Sequence, residues 1–356
     1  MKNRKISVPK AAGAYIGTIV GAGFATGQEV LQFFLCFGLP GILGIALSTF
    51  LFIVFGFLIM ELGMKLDAKS HLEIIRHASG SFFGKIIDFI ITFFLFGALT
   101  AMLAGTGALF SQQFGISSLA GSIFMAVITL LTVLTGIHGV INSISYVVPF
   151  LLAAVAGVSI FSIINSPPQI TTASLPAQSN LITNWFLAAV LYTSYNTVIS
   201  ISVLGPLGDQ ADNKKTVFYG SVLGGLGLGA GSFLIFLALS GNISEAARLE
   251  VPMVYIAGKI SPFMQTIYAV VLIAEIYTTA VGSLYGLSAR LSGAGKNPAK
   301  NKTVAICASI FAFFASCFGF SNLVKYLYPL VGYGGIILLA SLIFAKVKNK
   351  IIIWKQ

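Results

Sequence analysis

Two carboxylates fall in stretches otherwise too apolar to hold a charge. Glu275 lies in Ala274-Glu-Ile-Tyr-Thr-Thr-Ala-Val-Gly-Ser283, near the middle of the apolar run 262–289. Charges at that depth are costly and mark ion or substrate pathways. Glu275, Thr278, Thr279 and Gly282 follow i, i+3, i+4, i+7 spacing, so a helix puts them on one face. A carboxylate and two hydroxyls are hard oxygen donors, suited to a small cation such as Na+. Two other readings stay open: Glu275 alone carries a coupling proton, or it is a hydrogen-bonded packing residue.

The second carboxylate, Glu29, closes the stretch Gly17–Val30, GTIVGAGFATGQEV, inside an apolar run from 11 to 36. That run is long enough to cross a bilayer. Yet Gly21, Gly23 and Gly27 recur in its middle, and Gly is a poor residue for a helix interior. A break exposed to lipid would leave N–H and C=O groups without partners, so a break must be buried or line a cavity. In broken-helix transporters that cavity is the binding site. Close packing of small residues is the plainer alternative. Thr26-Gly-Gln-Glu29 matches a capping box, in which Thr26 and Glu29 would satisfy free N–H groups where the helix restarts; proton coupling at Glu29 is the other reading.

These residues need elements to position them, and composition says which. The 356 residues are 57% hydrophobic and 9% charged, with a mean hydropathy of +0.95. Apolar runs of about 20 residues recur throughout, the signature of a polytopic membrane protein. We count ten spans, at about 11–36, 41–62, 85–110, 118–137, 143–164, 183–205, 217–240, 262–289, 303–320 and 326–346. The expected domain is single, 1–356, with no soluble domain and no cleavable signal peptide. With the N-terminus inside, eighteen of the 21 Lys and Arg fall on the cytoplasmic side and only Arg248, Lys259 and Lys325 outside. This bias predicts a bacterial cytoplasmic membrane location with both termini in the cytoplasm. It also accounts for the net charge of +11 without nucleic acid.

Ten spans divide into two halves of five, 11–165 and 183–346. An odd number per half puts them in opposite orientations, an inverted repeat. The sixth span carries Tyr192-Thr-Ser-Tyr-Asn-Thr197 at the depth of the first span's glycines. Its polar, β-branched character predicts a second break there. The loop 63–84 should hold a short amphipathic helix over Asp67–His77, and Glu61 and Asp88 should reach the interface. The outer loop 166–183, with Pro167, Pro168 and Pro176, should be extended. In the outer loop 241–260 a short helix beginning at Ser244 should be interrupted by Pro252; either a lid or a passive connector fits.

Other chemistry is excluded. His71, His77 and His138 show no metal-ligand spacing, and there is no Walker motif or nucleophile elbow. Gly224–Gly231 superficially matches a dinucleotide fingerprint, but it lies within a span and reads as packing. Cys36, Cys307 and Cys317 read as small buried hydrophobes.

The first-span stretch, the ten spans, the polar patch at 192–197 and the Thr278-Thr279 pair resemble the amino acid–polyamine–organocation (APC) superfamily. More narrowly, the chain is similar to the YkvI-type putative amino acid permeases, over essentially its whole length. The resemblance implies an all-α, LeuT-type fold of ten transmembrane helices, with helices 1 and 6 discontinuous and spans 1, 3, 6 and 8 around a central site. It implies that Gly21, Ala22, Gly23 and Phe24 offer N–H groups to a substrate carboxylate. It further implies that Tyr192, Ser194, Tyr195 and Asn196 meet the amine and side chain, and that Gly17, Val20, Thr278 and Thr279 hold Na+. The fifth span lacks the basic residue of proton-coupled members, and Glu275 lies outside the usual sodium pattern.

The expected function is therefore secondary active transport of a small amino-acid-like or amine solute. It would be coupled to Na+ or H+ and would work by alternating access. The alternative is a transporter-like receptor subunit that binds a small molecule without moving it. No enzyme activity, no cofactor and no metal beyond Na+ are expected; the expected partners are a small-molecule substrate and the lipid bilayer.

Overall fold

The structure is a computed structural model that describes residues 6–68, 70–135, 147–170, 179–292 and 298–353. The expected ends of spans four and five at 136–146, with His138, and Pro176 in the outer loop lie outside these residues.

Among the described residues, six helices are long and apolar enough to cross a membrane: Leu39–Lys65, His71–Phe114, Trp185–Asp209, Lys214–Ser240, Pro262–Leu291 and Phe320–Val347. These are spans two, three, six, seven, eight and ten. Spans four, five and nine are the shorter helices Ser118–Leu134, Val147–Asn165 and Pro298–Ser316. Side chains set several helix starts. Ser117 accepts from the Ala120 N–H, Asn184 from Leu187, Asn213 from Thr216 and Ser261 from Met264, each at 2.9–3.2 Å. Each satisfies one of the four N–H groups a helix start leaves over. Large apolar side chains such as Phe50, Phe89, Phe150, Phe311 and Phe344 stand exposed on the outer faces. An apolar exterior of this extent suits hydrocarbon rather than water.

Spans two and six cross at backbone contact. A side-chain carbon on Gly63 would overlap the Gly205 carbonyl, and one on Gly208 would overlap the Met60 carbonyl. Only glycine permits that approach. Buried Tyr15 donates from its hydroxyl to the Phe52 carbonyl at 2.7 Å, fixing the inner half of span one to span two.

Several expectations need correction. The sixth span is not broken: Trp185–Asp209 is one continuous helix, with Pro206 near its end. Its polar patch is absorbed into the helix, because Thr193, Asn196 and Thr197 return their side chains to the carbonyls of Ala189, Tyr192 and Thr193. Back-bonding of this kind lets hydroxyls and amides sit in an apolar helix without opening it. The short helix expected within 63–84 starts at His71 rather than Asp67 and runs on into span three across a bend at Gly80 (φ 70°), a left-handed conformation that favours glycine. Pro252 begins a helix, Pro252–Ile260, rather than interrupting one; the turn before it is Ile243–Ala246. Proline is well placed at a helix start, where its missing N–H costs nothing.

Glu61 is buried. Its carboxylate is paired with Lys65 (3.2 Å), Lys214 (3.1 Å) and Lys346, so spans two, seven and ten meet there at their ends. Asp88 pairs with Arg290, whose Nη1 also meets His71 Nε2 at 2.7 Å. Cys307 and Cys317 are exposed on the outer faces; only Cys36 is buried.

Candidate functional site

Span one breaks as its glycines require. The inner helix Val8–Ile19 ends, Val20 and Gly21 are extended, a single turn Ala22–Ala25 follows, and Gly27 (φ 84°) leads into Gln28–Phe33. Gly27 holds a left-handed conformation, and Met253 crowds the space a side chain would need. The break takes the last carbonyls of the inner helix and the first N–H groups of the next turn out of the helical ladder.

The outer half is held by long-range hydrogen bonds. Tyr268 donates from its hydroxyl to the Ala25 carbonyl at 2.6 Å. The Gln28 amide donates to the Leu249 carbonyl at 2.6 Å and to Ser321 Oγ at 2.9 Å. The Met253 N–H donates to the Thr26 carbonyl at 3.0 Å. The segment from Leu249 to Met253 is thus packed directly over the break.

Beside the break lies a cavity of about 100 Å³, lined from span one by Gly17 to Gly23 and Glu29. Span three adds Phe94, Leu95, Ala98 and Met102; span six adds Tyr195, Asn196 and Ile199; span eight adds Glu275, Thr279 and Ser283; span ten adds Tyr328. Of the expected residues, Gly17, Val20, Gly21, Ala22, Gly23, Glu29, Tyr195, Asn196, Glu275 and Thr279 therefore meet in one place.

Five expected residues, Phe24, Thr26, Tyr192, Ser194 and Thr278, do not line it. Phe24 points toward the seventh span at Gly231. Ser194 faces the tenth span and donates to the Gly332 carbonyl at 2.6 Å. Thr278 turns its hydroxyl onto the Glu275 carbonyl at 3.0 Å. Tyr192 stands behind the cavity against Phe33, Phe34 and Phe52. Sequence reasoning missed Phe94, Ala98, Met102, Ser283 and Tyr328. Ser283 was legible, four residues beyond Thr279 on the same helix face. The third- and tenth-span residues carry no signal that separates them from ordinary core.

Glu29 does not close a capping box. The residue before its helix is Gly27, with no side chain, and Thr26 Oγ1 accepts from the Gln28 N–H at 3.3 Å while donating to the Gly23 carbonyl at 2.9 Å. The Glu29 carboxylate turns inward, with Oε1 over Gly23 and the hydroxyls of Tyr192 and Tyr195 nearby. Its Oε2 and both tyrosine hydroxyls complete no hydrogen bond of normal geometry. Glu275 accepts weakly from Thr279 Oγ1 at 3.4 Å, and its Oε2 is also unpartnered. Gly21 and Thr279 face each other, a side-chain carbon on Gly21 lying 3.9 Å from Thr279 Oγ1. Among the described residues, no Lys, Arg or His lines the cavity. Among the described residues, no group of three or more His, Cys, Asp or Glu is placed to hold a metal ion.

With this arrangement in hand, the chain can be set beside known proteins. It is 30% identical over 354 residues to the uncharacterized membrane protein YkvI of Bacillus subtilis (strain 168), covering 98% of this chain and 99% of that one. The chain belongs to the YkvI family of membrane proteins. No protein-family model matches it. Among solved structures, the YkvI-family fold is similar to a Na+-coupled sialic acid symporter in a substrate-bound, outward-open state. That match has a TM-score of 0.64 at 12% identity and covers 96% of this chain and 79% of the symporter. It is also similar to MhsT in complex with L-phenylalanine, with a TM-score of 0.66 at 14% identity, covering 92% of this chain and 87% of MhsT. At these identities the likeness establishes the fold, an all-α membrane protein of LeuT type.

Proposed function

We propose that this YkvI-family protein is a secondary transporter of a small amino-acid-like or amine solute, coupled to Na+ or H+ and working by alternating access. The observation that carries the reading is the meeting of the first-span break with the Glu275–Thr279 face across one cavity. Broken spans at the bilayer midplane are where transporters of this kind bind solute and ion. In this reading the freed carbonyls of Gly17 and Val20, Thr279 Oγ1 and the Glu275 carboxylate form the cation site. Gly21 to Gly23, Tyr195 and Asn196 border the solute. Hard oxygen donors of this kind fit Na+, and Glu275 alone fits a proton. Thr278 contributes no hydroxyl unless it rotates.

The halves 11–165 and 183–346 would rock against each other, with the outer loop 241–260 as a lid over span one. Both termini then face the cytoplasm of a bacterial cell. The test is uptake into proteoliposomes under an inward Na+ or proton gradient, over a panel of amino acids and amines. Glu275→Gln and Thr279→Ala should abolish gradient-driven uptake while the protein stays folded. Unchanged coupled uptake in both variants would remove the ion site, and binding with no flux of any solute would favour a receptor.

A further inference from the structure

Two carboxylates share the cavity, and among the described residues no cationic side chain lines it. Glu29 and Glu275 are 4% and 3% exposed, and each has one oxygen without a hydrogen-bond partner. Beside Glu29 lie Gly23 and the phenol groups of Tyr192 and Tyr195. A buried anion without a counter-charge is strongly unfavourable, so a carboxylate kept there calls for a cation that arrives with the cargo.

The two acids are not equivalent. Glu275 has the Thr279 hydroxyl beside it, and that hydroxyl faces Gly21 just past the end of the first half-helix, which suits a bare inorganic cation. Glu29 lies on the other side of the break, over Gly23. A solute's own carboxylate seeking the N–H groups at Gly21–Gly23 would stand against the Glu29 carboxylate, where like charges repel strongly in a low dielectric.

The remaining wall is aromatic. Tyr195 is stacked on Phe94 (centroids 6.2 Å, 26° between planes) and lies 5.0 Å from Tyr328, and all three rings line the cavity. Ring faces next to a carboxylate are what an ammonium group prefers.

Taking the cavity as the transport site proposed above, we propose that its solute is a small organic ammonium without a carboxylate of its own, with Glu29 as its counter-anion. The cavity's volume of about 100 Å³ favours short amines in this conformation.

The test uses the purified full-length protein and matched sets of probes sharing one carbon skeleton. The sets are ethylamine, alanine and propionate; isobutylamine, valine and isovalerate; phenethylamine, phenylalanine and 3-phenylpropionate. Thermal unfolding is followed at constant ionic strength, since a ligand of the folded state raises stability with concentration. At least one amine should stabilise the protein where its amino acid and acid do not. Glu29→Gln should weaken that amine's apparent Kd by about tenfold to a hundredfold, the loss of a hydrogen bond to a charged group.

An amino acid or acid that stabilises as well as its amine overturns the proposal. So does an amine response intact in Glu29→Gln, or no amine response in any set. Should Glu29→Gln not fold, the wild-type comparison of amine with amino acid decides alone. Uptake of the same sets separates this inference from the transport reading. Accumulation of the amino acid but not the amine defeats the inference and leaves transport standing. Amine binding without flux of any probe defeats transport and leaves the recognition standing.

Discussion

The Glu29 carboxylate covers Gly23 across the turn at Gly27: its Oε1 occupies the space a side chain on Gly23 would take. Gly23 is helical, so its conformation does not demand glycine. The demand comes from the acid six residues later, which turns inward instead of capping its own helix. The first-span glycines thus serve different ends. Gly27 supplies a left-handed turn, and Gly23 makes room for a carboxylate.

Gly23→Ala should therefore displace the carboxylate and abolish solute-induced stabilisation in a protein that still folds. Gly13→Ala is the control. It lies in the inner half-helix with open space around it and should be neutral or stabilising by about 0.5–1 kcal/mol. Thermal unfolding of both variants, with and without an active solute, checks the pair.

The two threonines of span eight should separate. Thr279 lines the cavity opposite Gly21, whereas Thr278 gives its hydroxyl to the Glu275 carbonyl. Thr279→Ala should remove most of any Na+-dependent stabilisation, and Thr278→Ala should leave it within about twofold, because exchanging a back-bonded hydroxyl removes no cavity donor. Titration of Na+ against K+ at constant ionic strength reads the difference. Equal loss in both would mean that Thr278 turns toward the cation.

Span six offers a similar contrast. Ser194 bonds the Gly332 carbonyl outside the cavity, so Ser194→Ala should cost about 1–2 kcal/mol of stability and leave solute affinity unchanged. Asn196 lines the cavity, and Asn196→Ala should weaken solute binding more than it lowers the melting temperature.

The crossing of spans two and six predicts a purely structural effect. Gly63→Ala and Gly208→Ala each drive a methyl group into a backbone carbonyl that cannot move aside. Each should destabilise by about 1–3 kcal/mol or more, as overpacking does. Detergent melting temperature and the yield of monodisperse protein are the measurements.

Much of this arrangement was legible in the sequence because membranes impose strong rules. Apolar length marked the spans, and a glycine cluster inside one of them could only be a buried break or a packing face. Glu275 and Thr279 share a face by helical arithmetic alone. The errors have physical causes too. The polar patch of span six looked like a break, yet hydroxyls and amides that bond carbonyls three or four residues back leave a helix intact. Thr26 and Glu29 fitted a capping box by spacing, but spacing cannot say that Gly27 takes the cap position and frees the carboxylate. Glu61 sat near a span end, and only the fold brings Lys214 and Lys346 to it. Phe94 and Tyr328 are apolar and aromatic residues in apolar spans, so no pattern separates a cavity wall from a core.

The most direct measurement is a structure of the purified protein with a solute that stabilises it. The account predicts density beside the break in span one, bordered by Gly21–Gly23, Tyr195, Asn196 and the Glu275–Thr279 face. Solute found only in the larger pocket of about 420 Å³ between Gln112, Arg248 and Glu250 would contradict it.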